Sequence, residues 1–332
     1  MSVIKELARK ESKGKSFRGG HSLCRGCGIP IVVRTVLNSI DTPVVVISAT
    51  GCLEVATTRF PTTAWNVPWL HVAFENAAAA ASGVETAYKA LKKREAIPDD
   101  EPVTFVVFGG DGGTYDIGLQ SLSGALERGH RFLYVCYDNE AYMNTGIQRS
   151  SATPFGASTT TSPSGKKSYG KAQKRKDLTA IMEAHHLSYV GQSSISHWYD
   201  LSTKVKKAVS TEGPAFINVL STCQLGWRHE PKDAVNVARL AVETCFWPLY
   251  EVVEGHYNLT HEPIKKLPVK TWLKTQGRFS HLFQETNKSV LERIQQDVDE
   301  DWNRLLDRCS QDAHYFEKQE PTFLREMKQA RL

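Results

Sequence analysis

The feature that most constrains this chain is an apolar run, Val103 to Phe108 with Thr104 as its one polar residue, that leads into Gly109-Gly110-Asp111-Gly112-Gly113. An apolar stretch of strand length without alternation reads as a strand buried on both faces. Leu119, Leu122, Ala125 and Leu126 then recur at helical spacing between Gly118 and Arg128, and Gly129 stops the helix. Arg131 to Tyr137 is again apolar and β-rich. The segment is therefore a βαβ unit, and a right-handed crossover makes its strands parallel. Asp111 and Asn139 then fall at the carboxyl edge of one sheet, where open α/β folds bind ligands. The expected class is α/β, with a mostly parallel sheet and helices on both faces.

Two side chains converging there have a chemistry. A hard cation such as Mg²⁺ takes oxygen ligands at about 2.1 Å, and Asp111 offers a carboxylate while Asn139 offers an amide oxygen. Gly110, Gly112 and Gly113 let backbone amides come close to phosphate oxygens, and the helix that follows adds a favourable N-terminal field. A glycine-rich turn after a strand is common without any ligand; the Asn closing the next strand favours a cofactor site.

The chain has seven cysteines. Cys24 and Cys27 form a C-x₂-C pair in a glycine-containing loop, which suits two ligands of one centre. Cys52 follows the apolar stretch Val44 to Ser48, and Cys223 follows Ala215 to Leu220, so both lie at strand ends. Four thiolates satisfy either zinc or an iron–sulfur cluster, and spacing alone does not separate them. Cys136 within a strand, Cys245 on an expected helix and Cys309 in the tail read as packing residues.

Gly-Asp-Gly with a downstream Asn resembles the thiamine diphosphate motif. The string Asp138-Asn139-Glu140-Ala141-Tyr142-Met143-Asn144-Thr145-Gly146 resembles the β subunit of 2-oxoacid:ferredoxin oxidoreductases, the pyruvate synthase group. The likeness extends from Gly20-His21-Ser22-Leu23-Cys24-Arg25-Gly26-Cys27-Gly28, through Ser48-Ala49-Thr50-Gly51-Cys52, to Cys223 and Leu273-Lys274-Thr275-Gln276-Gly277-Arg278-Phe279. It covers roughly residues 18 to 283. It implies a thiamine diphosphate-binding fold, with cofactor contacts from Gly51, Gly110, Asp111, Gly112, Gly113, Asn139 and Ala141. It also implies Mg²⁺ on Asp111, Asn139 and the Ala141 carbonyl, and a [4Fe–4S] cluster on Cys24, Cys27, Cys52 and Cys223. Asn144 is implied to reach the substrate; its bland alternative is a helix N-cap or turn residue. The implied reaction converts a 2-oxoacid, coenzyme A and oxidised ferredoxin to acyl-CoA, CO₂ and reduced ferredoxin.

With 332 residues, 41% of them hydrophobic, the chain can bury a sizeable core. The expected division is a polar arm over 1–20, one thiamine diphosphate and iron–sulfur binding domain over 21–284, and a helical tail over 285–332. Apolar Val290, Leu291, Ile294, Val298, Trp302, Leu305 and Leu306 give that tail a stripe for docking on this subunit or a neighbour. Phe74 to Lys93 is expected to be an Ala-rich helix, Ser151 to Lys176 a long loop, and Lys232 to Tyr250 a helix. The formal charge of +5 is modest and does not point to nucleic acid. Six Lys or Arg lie between Gly165 and Lys176, either solvated or facing an anionic partner such as coenzyme A phosphates. No apolar span reaches about 18 residues, so no membrane segment is expected; reduced thiols fit a cytoplasmic protein.

Two absences matter. Thiamine activation needs a Glu from a pyrimidine-binding domain, for which this chain has no room, and no C-x₂-C-x₂-C-x₃-C-P set appears. The resemblance places the first on an α subunit or chain and the second on a ferredoxin-like cluster subunit, which serves ferredoxin or another acceptor. Two rival classes are a non-redox thiamine decarboxylase or carboligase chain and a zinc-stapled structural or binding subunit. Pyruvate is the first-choice substrate; a branched-chain or aryl 2-oxoacid such as phenylglyoxylate is the runner-up. The sequence does not fix the physiological direction, final acceptor or subunit stoichiometry.

Overall fold

The computed structural model describes residues 16–98 and 102–319; most of the expected N-terminal arm lies outside them, as does the end of the tail. The core is an eight-stranded sheet in the order β10-β9-β7-β8-β4-β3-β1-β2. Its strands are β1 (Val44–Ala49), β2 (Trp69–Val72), β3 (Thr104–Gly110), β4 (Leu133–Asp138), β7 (Tyr189–Ser194), β8 (Ala215–Leu220), β9 (Leu249–Val253) and β10 (His256–His261). The strands from β2 across to β7 pair in parallel. β9 runs antiparallel to β7, and β10 antiparallel to β9. A small hairpin, β5 (Ser164–Gly165) with β6 (Ser168–Tyr169), interrupts the long loop after β4.

Both faces of the central strands are buried, as an unbroken apolar run requires. Along β3, Phe105 and Val107 face one hydrophobic core, while Val106 and Phe108 face the other. The Ala-rich helix Ala77–Lys93 packs on the first, where Ala77, Ala78 and Ala81 are small enough for its backbone to approach the sheet. The tail forms one helix, Lys288–Gln319. Its Ile294, Val298, Trp302 and Leu305 are buried in the same core, so the apolar stripe docks on this chain itself.

One expected element is corrected. The helix read over Lys232 to Tyr250 spans only Ala234–Glu243. Cys245 takes a left-handed φ of 57°, Pro248 follows, and Leu249 and Tyr250 belong to β9. Cys245 is therefore buried in a bend rather than on a helix. Among the described residues, no helix is long and apolar enough to cross a membrane.

The topology singles out one crevice. β1 leads outward to the edge strand β2, whereas β3 leads inward to β4. The loops after β1 and β3 thus diverge, the arrangement that opens a ligand crevice at the carboxyl ends of parallel strands. Gly51-Cys52 closes β1 and Gly110-Asp111 closes β3. Gly110 aligns with Tyr137, and Asp138 with Leu220, so Asn139 and the Ser221–Cys223 segment leave the sheet side by side.

Candidate cofactor and cysteine site

A cavity of about 130 Å³ opens at that crevice. Its lining brings together Gly51, Cys52, Gly110, Asp111, Gly112, Asn139, Ala141 and Asn144, along with Thr50, Phe74, Tyr137, Tyr142, Met143 and Thr145. Gly113 is buried beneath it, facing Phe74. Asn144 is exposed at the rim in a turn, not at a helix N-cap. The glycines have local causes as well as room for a ligand. A Cβ on Gly112 would overlap the Tyr142 ring. Gly51 has φ +158° and ψ −168°, a region that only glycine enters without strain.

Three oxygens converge on the cavity floor. The Asn139 side-chain oxygen faces only acceptors, with Asp111 Oδ1 at 2.9 Å and the Ala141 carbonyl at 3.0 Å. Bare oxygens repel at that range unless the amide turns over or a cation lies among them. Ligands at about 2.1 Å on an octahedron stand about 3.0 Å apart along its edges, so both distances from the Asn139 oxygen match octahedral edges around Mg²⁺. Asp111 is buried, and its Oδ2 accepts a 2.5 Å hydrogen bond from Ser150 Oγ. Burial, and then the nearby Asp138 carboxylate, push its carboxyl well above the ordinary range. A divalent cation reverses both effects.

Behind the floor lies a buried charge network. Asp138 Oδ2 accepts from Tyr115 at 2.5 Å and from Arg175 at 2.7 Å. Glu140, at a left-handed φ of 67°, is held between Arg175 and Arg278. Its backbone N–H donates to Asp138 Oδ1 at 3.0 Å, and its carbonyl accepts from Thr153 at 2.6 Å. Arg278 stacks 4.0 Å from the Trp227 ring centre, and Trp227 Nε1 donates to the Asn139 carbonyl at 2.8 Å. The network fixes the strained Asn139–Ala141 backbone from beneath. Breaking one partner of a buried ion pair costs about 3–5 kcal/mol. Arg278→Met should therefore lower the unfolding free energy by roughly 3 kcal/mol, since Arg175 still faces Glu140. Denaturant unfolding measures this, and an unchanged midpoint would remove Arg278 from the support of the loop.

The cysteines gather beside the cavity. Cys27 N–H donates to the Cys24 carbonyl at 3.1 Å, and Gly28 N–H to the Thr222 carbonyl at 3.1 Å, which ties the C-x₂-C loop to the end of β8. Cys223 Sγ accepts from Gly226 N–H at 3.4 Å. All four thiols are free. Burial, with the neighbouring thiolates, pushes Cys27 and Cys52 up to about 12, and burial also raises Cys223. Among the described residues, no three of these sulfurs lie within 4.8 Å of one another. Tetrahedral zinc bonded at about 2.3 Å would hold its sulfurs only about 3.8 Å apart, so these sulfurs do not stand at zinc spacing. Cys52 also lines the cavity, so the two sites share a wall.

Sequence reasoning missed several participants. Tyr137 is buried, its hydroxyl has no hydrogen-bond partner and it lines the cavity. Its place as the residue before Asp138 was the available signal. Ser150, Trp227 and the ion pairs of Glu140 join segments distant in sequence and have no local signature. The basic loop divides: Lys166 and Lys167 are exposed, while Lys171 is buried against the Ser151 and Thr153 carbonyls and Arg175 turns inward.

Comparison with known proteins bears on this arrangement. Residues 49–219 match the family model of the thiamine pyrophosphate enzyme C-terminal TPP-binding domain. Pyruvate synthase subunit PorB of Methanocaldococcus jannaschii is 52% identical over 90% of this chain and 97% of its own length. The subunit of the same name from Thermotoga maritima is 51% identical over 91% and 95%. Ketoisovalerate oxidoreductase subunit VorB of Pyrococcus abyssi is 40% identical over 88% and 92%. The structure of 2-oxoglutarate:ferredoxin oxidoreductase from Magnetococcus marinus superposes with a TM-score of 0.51 at 23% identity, covering 68% of this chain and 79% of that one, a likeness of fold.

Proposed function

This chain belongs to the β-subunit family of 2-oxoacid:ferredoxin oxidoreductases, and on that premise we propose that it supplies the diphosphate, metal and cluster half of a pyruvate-oxidising, coenzyme A-acylating active site. The observation that carries the reading is the wall shared by the Asp111–Asn139–Ala141 oxygen triangle and Cys52. Thiamine diphosphate, when bound, would supply the chemistry of 2-oxoacid decarboxylation, and an adjacent [4Fe–4S] cluster would supply a one-electron acceptor. A carboligase half has no use for four gathered thiols, and a zinc staple has no use for the oxygen triangle.

The residues take distinct parts. Asp111, Asn139 and the Ala141 carbonyl hold Mg²⁺, which neutralises the diphosphate. Gly110 and Gly112 allow close approach of that diphosphate, and Gly51 does the same beside Cys52. Cys24, Cys27, Cys52 and Cys223 hold the cluster. Asn144 at the rim donates its amide to the substrate carboxylate or to a developing oxyanion without removing a proton.

The cavity is smaller than the about 300 Å³ at which small-molecule pockets begin, which supports a cofactor walled in by two chains. Exposed Val55, Phe60 and Leu70 on and beside the elements flanking β1 give the second wall an apolar surface to meet. The partner would carry the pyrimidine-binding domain and the activating Glu. A ferredoxin-like subunit would pass electrons to ferredoxin or another acceptor.

Pyruvate is favoured over branched-chain acids by the higher identity to the pyruvate synthase subunits than to the ketoisovalerate subunit. The test is acyl-CoA formation by the reconstituted complex against a panel of 2-oxoacids. Pyruvate should exceed 2-oxoisovalerate in kcat/KM by at least about 10-fold, since one methylene group alone gives that discrimination and these acids differ by two carbons. The isolated chain should release no CO₂. A preference for the branched acid would move this chain to the second substrate class, and turnover by the partner-free chain would overturn the shared-site reading.

A further inference from the structure

Outside the crevice, His197, Glu243 and His261 bring three metal-ligand side chains together, their donor atoms all within 4.8 Å of one another. They come from three elements. His197 precedes the helix Trp198–Ser210, Glu243 ends the helix Ala234–Glu243, and His261 ends β10, the last strand of the sheet. His261 Nε2 lies 3.3 Å from Glu243 Oε1. The two imidazole centres are 4.6 Å apart.

Tetrahedral coordination with bonds of about 2.0–2.1 Å sets neighbouring ligand atoms about 3.3–3.4 Å apart. The His261–Glu243 pair already has that spacing, and His197, within 4.8 Å of both, closes to it by a movement of at most about 1.5 Å. Its Nδ1 lies 2.9 Å from Ser196 Oγ, which leaves Nε2 as the available donor; an outer-sphere hydrogen bond of this kind fixes the tautomer and the ring orientation of a ligating histidine. We propose that His197, Glu243 and His261 form a metal site separate from the cysteines, taking one zinc-class divalent ion through two imidazoles and a carboxylate, with the fourth position open to water.

The donor set suits that ion class, and all three side chains are partly exposed, so an ion has a way in. A plain His261–Glu243 ion pair explains the 3.3 Å contact but not the approach of His197 to the same point. An ion would instead clamp the edge strand β10 to the two helices beside it.

The test is calorimetric zinc titration of the purified protein with its cysteine centre already filled. Wild type should bind one further equivalent. His261→Ala and Glu243→Gln should weaken that site by more than about 100-fold, and Ser196→Ala by about 10–100-fold, the range for losing an outer-sphere partner. Zinc should raise the thermal midpoint of wild type and not of the ligand variants. Glu243→Gln keeps the side-chain shape, so it reads the site even where His261→Ala fails to fold. No zinc uptake by wild type beyond the cysteine centre, or equal uptake and affinity in wild type and Glu243→Gln, overturns the proposal. Iron content and thiamine diphosphate affinity of folded variants stay at wild-type values, which separates this result from any failure of the cysteine assignment.

Discussion

Asp111→Ala should abolish thiamine diphosphate and Mg²⁺ binding together and lower turnover of the complex by roughly 1000-fold or more, because the lost cation stabilises charge by several kcal/mol and each 1.36 kcal/mol is about tenfold in rate. Affinity should fall far more than stability. In the metal-free chain Asp111 is a buried carboxyl group beside Asp138, a conflict that a bound cation would resolve. The folded pKa of Asp111 is raised above the ordinary 3.8, so between those values the folded chain retains a proton that the unfolded chain has released. Stability of the metal-free protein therefore falls as pH rises through that window, and Asp111→Ala removes this contribution. Unchanged calorimetric binding of thiamine diphosphate to the variant would refute the oxygen triangle as its metal site.

Cys223→Ser should eliminate electron transfer while leaving the oxygen triangle in place. A serine hydroxyl is a harder, poorer ligand for iron than a thiolate, and Cys223 also caps the Gln224–Trp227 turn that follows β8. Cys52→Ser should do the same from the wall of the cavity. In either variant, coenzyme A-dependent reduction of the acceptor should fall at least 100-fold, with iron lost in parallel. Full iron content and normal electron transfer would exclude these residues as ligands.

The parts of this site legible in the sequence are those with local signatures. β3 is apolar from Phe105 to Phe108, the glycines flank one Asp, and Cys24 and Cys27 are close in the chain. The β9–β10 hairpin had no such signature. Glu251 interrupts the apolar pattern of β9, yet it is buried, where Tyr189, Lys207 and Asn258 satisfy it. An ion held by tertiary partners defeats a reading based on alternation. Arg175 failed for the same reason: its charge suggested a solvated loop, whereas its guanidinium lies 4.5 Å from the Trp247 ring centre and pairs with Asp138 and Glu140. The family likeness marked Arg278 without a role, and its stacking on Trp227 beneath Asn139 supplies one.

The central claim is that one chain holds an iron–sulfur centre directly beside the cation of a thiamine site. It is tested most directly by electron paramagnetic resonance of the anaerobically reconstituted chain, reduced and saturated with thiamine diphosphate and Mn²⁺ in place of Mg²⁺. The expected result is four irons per chain and a reduced-cluster signal that Mn²⁺ broadens and relaxes, with the effect lost in Asp111→Ala. A chain without iron, or a cluster signal untouched by fully bound Mn²⁺, would contradict it.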